Sequence, residues 1–135
     1  MDRNARVVFV CLHGAAKSVI AAAHFCRLAA ERGLAAHAIA VGAEPDPEVT
    51  PAAAAGLLAE GIDVRAHRPR RVTPEDLAGA ARVVSFGCDL DGLAPPGAVE
   101  RWDDVPAVSD GFHAARAAIL RRLPGLIAEM ARAPR

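Results

Sequence analysis

A cysteine, a lysine and a serine stand at a spacing that could bind and attack an oxyanion. Cys11 ends an apolar run. Five residues, of which the last three are small, separate it from Lys17 and Ser18, where a helical pattern begins. Free backbone N–H groups and the helix dipole both favour negative charge at a helix N-terminus. The same field stabilises a thiolate, the reactive form of cysteine. The pattern predicts an anion-binding loop with Cys11 as its nucleophile.

The loop itself supplies the predicted oxyanion ligands. Lys17 lies at the junction of loop and helix, which favours contact with the anion over the alternative of a solvated surface lysine. His13 either satisfies hydrogen bonds of the loop or tunes the thiolate. Cys11 could also be a plain buried cysteine at a strand end. The expected oxyanion-binding residues are Leu12, His13, Gly14, Ala15, Ala16, Lys17 and Ser18.

Strands and helices that alternate along the chain must position this loop. Short β-branched runs and capped apolar patterns predict the elements, with Gly33 ending the first helix. Alternation of this kind predicts one α/β domain over 1–135, built on a parallel four-stranded sheet with helices on both faces. Ligands bind at the carboxyl ends of such strands, where Cys11 is expected. Strands are predicted over 6–12, 34–41, 82–86 and 98–102, and helices over 17–32, 51–60, from 74 and over 111–131, the last kinked at Pro124.

Composition excludes several other classes of protein. The 135 residues carry a formal net charge of zero and are 53% hydrophobic, which gives no basis for nucleic-acid or membrane binding. Three widely spaced cysteines argue against a disulfide framework and for a reducing, cytoplasmic location, and no signal peptide is recognisable. No spacing of cysteines and histidines fits a metal site, so neither metal nor cofactor is expected.

Several motifs along the chain carry a resemblance to a known family. The chain resembles the low-molecular-weight protein tyrosine phosphatase family, closest to its arsenate-reductase-like branch. The resemblance implies the fold predicted above and a phosphate-binding loop with a cysteine nucleophile. The matching segments are Val7 to Cys11, Lys17-Ser18, Val41 to Pro45, Glu60 to Asp63, His67 to Pro69, Ala81 to Asp89 and Trp102 to Pro106.

The resemblance also implies a role for each site residue. Cys11 attacks phosphorus or arsenic in line, while the loop amides and Lys17 hold the equatorial oxygens. Ser18 hydrogen-bonds the thiolate and helps it to leave. An aspartate of the late loop, Asp104 or Asp103, protonates the leaving oxygen and then activates water.

Three positions depart from the family pattern. Lys17 stands where the family has arginine, whose planar fork grips two oxygens while lysine is a point charge. Gly14 replaces an asparagine that braces the loop. The strict register after Trp102 puts Ala107 at the position of the acid, so Asp103 or Asp104 could serve only if the loop is shifted.

Three functions therefore stay open. The first is hydrolysis of phosphomonoesters such as phosphotyrosine through a cysteinyl-phosphate. The second is arsenate reduction, which needs a resolving thiol for Cys11, either Cys88 or an external thiol reductant, because 89–95 contains no cysteine. The third is a non-enzymatic module that binds oxyanions. Cys88 could equally be a core residue, and Cys26 is expected in the core.

Overall fold

Four parallel strands form the sheet in the part of the chain that the structure describes. This computed structural model describes residues 5–88, 90, 93 and 99–132. The strand order is β2-β1-β3-β4, and every paired neighbour runs parallel. The predicted α/β sheet is confirmed. The elements are β1 (Ala5–Cys11), α1 (Lys17–Glu31), β2 (Ala36–Gly42), α2 (Pro51–Leu58), α3 (Pro74–Ala78), β3 (Arg82–Ser85), β4 (Glu100–Arg101) and α4 (Phe112–Arg132).

Local signals in the sequence fix three of the helix ends. Thr50 accepts a hydrogen bond from the Ala53 amide and Pro51 opens α2. Thr73 and Asp76 form a reciprocal capping box at the start of α3. Gly33, at φ +67°, follows the end of α1. Side-chain caps and a left-handed glycine need only neighbours in sequence, which is why these ends are close to the predicted ones.

Helices cover both faces of the sheet. Val7 and Phe9 of β1 pack into one core layer with side chains of α1 and α4. Val8 and Val10 point to the opposite face, where Leu77 of α3 covers them. Residues 7–10 have no exposed surface at all. The alternation of a strand thus divides the core into two layers, and β1 lies in the middle of both.

Two predicted elements differ in detail. The fourth strand is Glu100–Arg101, shorter than predicted, and the predicted loop before it lies largely outside the described residues. The last helix is a single element that continues through Pro124, where a kink was expected. Nowhere in the described chain is a helix both long and apolar enough to cross a membrane.

Candidate active site

Cys11 lies where the order of the strands reverses. The chain passes from β1 to β2 on one side and later to β3 on the other, so the carboxyl end of β1 is a topological switch point. Cys11 is the last residue of β1, in register with Gly42 of β2. Loops diverge on either side of such a point and leave a crevice between them. The sheet therefore delivers the thiol to the edge where ligands bind.

The loop after β1 turns its carbonyls outward. The Ala43 amide donates to the Cys11 carbonyl at 3.2 Å, and the Glu44 amide donates to the Leu12 carbonyl at 2.7 Å. Farther along, the His13 carbonyl accepts from Asp46 at 3.0 Å. The amides of residues 12–16, in contrast, donate to no acceptor within the described residues. A row of free amides on the inner side of a loop is a receptor for anions.

A contact between two glycines holds the loop in this shape. Gly14 has a φ of +61°, and a Cβ added to it would lie 2.8 Å from the Gly42 nitrogen. A Cβ on Gly42 would lie 2.6 Å from the Gly14 nitrogen. Only glycine fits on either side of this backbone contact. The glycine that replaces the family's asparagine thus permits a close approach between the loop and β2.

The N-terminus of α1 faces the thiol. The Ser18 hydroxyl lies 3.0 Å from Cys11 Sγ, and both side chains are buried. Ala16 occupies the N-cap position without a side-chain cap, and the first turn carries no acidic residue. The positive end of a 15-residue helix is thereby left to an anion, either the thiolate or a bound ligand.

Lys17 supplies the cation of the loop. Its side chain is half-buried, lines the same cavity as Cys11 and has no ion-pair partner among the described residues. It is also the only lysine in the sequence, beside 15 arginines. The charge of Lys17 is therefore available to a bound oxyanion.

A cavity of about 410 Å³ opens over Cys11. Its floor is the loop, and its walls come from the segment after β2, the start of α2 and the turn before α4. The walls are mainly apolar, and Asp46 contributes the carboxylate that lines the cavity. The lining residues are Cys11, Leu12, His13, Ala15, Ala16, Lys17, Asp46, Thr50, Pro51, Ala52, Phe86, Ala107, Val108 and Ser109.

Neither predicted aspartate reaches this cavity. Asp103 pairs with Arg101 at 3.0 Å, and Asp104 pairs with Arg122 of α4 at 2.7 Å. Both carboxylates are at least half-exposed. Ala107 lines the cavity instead, as the unshifted register requires. The ion pairs turn both acids away from Cys11, so the structure places neither where the predicted acid has to be.

Cys88 is buried in the other core layer, although it lies close enough to Cys11 for the two thiols to interact electrostatically. It packs with Val8 and Val10, whereas Cys11 belongs to the layer of Phe9, and Cys88 does not line the cavity. Burial raises the pKa of its thiol to about 11, and the nearby Cys11 adds to the rise. A thiol that stays protonated is a poor nucleophile. Its position therefore favours a core role for Cys88 over a role as resolving thiol. Cys26, which was expected in the core, is exposed.

His13 and Asp46 meet at the wall of the cavity. The His13 Nδ1 lies 3.0 Å from the Glu44 carbonyl oxygen and 3.4 Å from an Asp46 carboxylate oxygen. The ring is half-exposed. Sequence reasoning did not pair Asp46 with His13. The signal available was that 43–50 follows the carboxyl end of β2, next to β1 in the sheet.

A family model decides the classification. The model of the low molecular weight phosphotyrosine protein phosphatase matches residues 6–95. The chain belongs to this family. The matched range holds both the loop and the glycine pair that shapes it, and the resemblance drawn from the motifs is confirmed. The range ends before Asp103, Asp104 and the turn that carries Ala107.

Solved structures show the same fold across nearly the whole chain. YfkJ from Bacillus subtilis superposes with a TM-score of 0.84 at 21% identity and covers 97% of both chains. A thioredoxin-dependent arsenate reductase of Corynebacterium glutamicum gives 0.82 at 22% identity, covering 96% of this chain and 63% of its own. The low molecular weight protein tyrosine phosphatase of T. tengcongensis gives 0.75 at 22% identity over 95% and 98%. Comparison with curated protein sequences gave no match.

Proposed function

We propose that the chain hydrolyses phosphomonoesters, phosphotyrosine among them, through a cysteinyl-phosphate formed at Cys11. The observation that carries the proposal is the contact of 3.0 Å between Cys11 Sγ and the Ser18 hydroxyl at the uncapped start of α1. A buried core cysteine has no need of a hydroxyl donor, free amides and a helix dipole around it. Together these groups stabilise a thiolate that faces the cavity.

The reaction divides into two displacements at phosphorus. First the Cys11 thiolate forms an S–P bond, while the P–O bond to the alcohol breaks. Then water attacks phosphorus, and the S–P bond breaks to return the thiolate and release phosphate. The Ser18 hydroxyl donates a hydrogen bond to the departing sulfur, and the amides of 12–16 hold the equatorial oxygens throughout.

Lys17 limits how well the transition state is held. Its ammonium group balances charge but cannot grip two oxygens in a plane as a guanidinium does. The competing interpretation is a protein that binds oxyanions without turnover. Both an enzyme and a binding protein would bind phosphate, but only the enzyme would show a rate of hydrolysis that depends on Cys11.

Hydrolysis of para-nitrophenyl phosphate from about pH 5 to pH 8 tests the proposal directly. We expect measurable turnover that Cys11→Ser abolishes. Cys26→Ser is the matched control, because Cys26 is an exposed cysteine of α1 outside the cavity. Cys26→Ser should keep the full rate. If wild type and Cys11→Ser are equally slow while phosphate still binds, the enzymatic proposal fails and the binding module takes its place.

The single lysine allows an independent test of where phosphate binds. Modification of amines by trinitrobenzenesulfonate reports only Lys17 and the N-terminus, since the sequence has no other lysine. Phosphate should slow modification of Lys17 and leave the N-terminal amine unaffected. Equal rates with and without phosphate would remove Lys17 from the anion site.

Arsenate reduction is the second candidate, in the form that uses an external thiol. A ring of amides can bind arsenate as well as phosphate, because both are tetrahedral oxyanions that accept hydrogen bonds from the N–H groups. The layer and the raised pKa of Cys88 argue against an internal relay. We expect that any arsenate-dependent oxidation of an added thiol needs Cys11 and survives Cys88→Ser. Loss of that oxidation in Cys88→Ser would instead support an internal relay in which Cys88 is the resolving thiol.

A further inference from the structure

The cavity needs a proton donor that the late loop does not supply. An alkoxide or phenoxide leaves phosphorus slowly unless it is protonated as the P–O bond breaks. Asp103 and Asp104 are held outside the cavity by arginines, and Ala107 and Val108 occupy the wall nearest to them in sequence. Within the described part of the chain, the donor must come from another wall.

Among the residues that the structure describes, four titratable side chains line the cavity. Cys11 is the nucleophile and Lys17 the cation, which leaves His13 and Asp46. These two lie together on the wall formed by the loop and by the segment after β2. A proton donor on this wall shares the cavity with the reacting sulfur.

The surroundings of His13 fix its tautomer. A carbonyl oxygen can only accept, so Nδ1, at 3.0 Å from the Glu44 oxygen, carries a proton and donates it there. The Asp46 carboxylate lies 3.4 Å from the same nitrogen and helps to hold the ring in this orientation. Nε2 is then the nitrogen that exchanges its proton. A backbone oxygen and a carboxylate on one nitrogen, with the other left free, is the arrangement of an oriented acid–base histidine.

We propose that His13 is the catalytic acid and base of this site, with Asp46 as its positioning residue. The inference rests on the proposed function, since it assigns the proton transfers of the Cys11 reaction. It replaces the late-loop aspartate with a side chain only two residues beyond the nucleophile.

The proton transfers balance in both steps. As the Cys11 thiolate forms the S–P bond, protonated His13 gives the Nε2 proton to the leaving oxygen and becomes neutral, and the free alcohol departs. In the second step neutral His13 takes a proton from the attacking water. The water oxygen bonds to phosphorus, the S–P bond breaks, and the products are hydrogen phosphate, the Cys11 thiolate and protonated His13.

Dependence on the leaving group is the decisive measurement. A dinitrophenolate leaves without help, whereas a phenolate needs a proton. In His13→Ala we expect kcat/KM to fall about 100-fold for phenyl phosphate and less than roughly threefold for dinitrophenyl phosphate. Added imidazole should restore part of the loss on phenyl phosphate.

Two further variants make the result specific. His113→Ala is the matched control, because His113 is an exposed histidine that lines a separate cavity beside Glu60 and Arg116. It should behave as wild type on both substrates. Asp46→Asn should cause a smaller loss on phenyl phosphate than His13→Ala does, because it leaves the Glu44 contact intact.

Each result on these variants supports or overturns the assignment. Equal losses on both substrates in His13→Ala mean that the residue only shapes the loop, and this inference is then wrong. A larger loss in Asp46→Asn than in His13→Ala makes the carboxylate the donor, which is equally against it. If wild type lacks a Cys11-dependent rate even on dinitrophenyl phosphate, the proposed function itself has failed.

Discussion

A single side chain, Lys17, sets the strength of the anion site. Replacing its ammonium group by a guanidinium adds a second donor to the phosphoryl oxygens in a fixed plane. One such donor is worth roughly 2 kcal/mol in the transition state, or about thirtyfold. We therefore expect Lys17→Arg to raise kcat/KM for dinitrophenyl phosphate by about that factor, and Lys17→Met to lower it. A rate in Lys17→Arg no higher than in wild type would mean that the cation does not contact the substrate.

The hydroxyl of Ser18 has an effect that can be measured without any substrate. Hydrogen bonds to a charged group contribute about 1.5–3 kcal/mol, and this one, at 3.0 Å, ends on the Cys11 sulfur. In Ser18→Ala we expect alkylation of Cys11 by iodoacetamide to slow about tenfold near neutral pH. Cys26 is an internal reference in the same sample, and its alkylation rate should not change. An unaltered rate at Cys11 would show that the hydroxyl does not stabilise the thiolate.

At the scale of elements, the loop and β2 form one unit through the glycine contact. Gly42→Ala puts a methyl group 2.6 Å from the Gly14 nitrogen, a backbone atom that cannot move aside cheaply. We expect a loss of about 1–3 kcal/mol in the free energy of unfolding and a weaker affinity for phosphate, because the loop must open to relieve the contact. Urea unfolding and a phosphate titration measure the two effects.

Gly125→Ala is the control for this pair, since a Cβ there meets nothing within 4 Å in the middle of α4. It should raise the free energy of unfolding by about 0.5–1 kcal/mol and leave phosphate affinity alone. If Gly42→Ala changes stability no more than this control does, the two backbones are not in tight contact.

The helices show which features the sequence could predict and which it could not. The helix start at Pro74 and the helix end at Gly33 depend on neighbours in the chain, so the pattern alone predicted them. The fate of Asp104 depends on Arg122, which α4 brings back from 18 positions away. A pattern of residue types cannot reveal a partner that only the packing of the last helix provides.

Cys11 and Cys88 show the same difference between local pattern and packing. The sequence placed Cys11 correctly at a strand end because an apolar run and a helix start bracket it. It could not tell that Cys88 belongs to the other core layer, since that depends on how the chain leaves β3 and enters the following loop. Position in the sequence predicted where the loop lies, while the walls of the cavity depend on the three-dimensional packing of distant segments.

For the molecule as a whole, one polar cluster joins the three helices that share a core layer. Arg116 of α4 donates twice to the Glu60 carboxylate just beyond α2, at 2.7 and 2.8 Å. His24 of α1 lies 3.6 Å from the same carboxylate and is only 4% exposed. Arg27 of α1 donates to the Glu60 carbonyl. Breaking this cluster would leave the partly buried charges of Glu60 and Arg116 unpaired, so the cluster ties the three helices together.

His24 makes the stability of the molecule depend on pH. Burial lowers the pKa of its ring below 6.5 and Arg116 adds to this, while Glu60 acts in the opposite direction. Burial also lowers the pKa of His67, with Arg68 and Arg70 contributing. The unfolded chain then takes up protons at a higher pH than the folded chain does, so the free energy of unfolding falls as the pH drops below about 6.5.

Urea unfolding near pH 7.5 and near pH 5.5 tests this dependence. We expect the free energy of unfolding of wild type to be lower near pH 5.5 than near pH 7.5, because both histidines bind a proton more readily in the unfolded chain. His24→Gln should lose less, because an amide does not titrate, and the remaining slope should come from His67. His113→Gln, on the exposed surface of α4, should keep the wild-type slope. If the free energy of unfolding depends on pH equally in wild type and in His24→Gln, the prediction is wrong. His24 would then bind protons equally well in the folded and the unfolded chain.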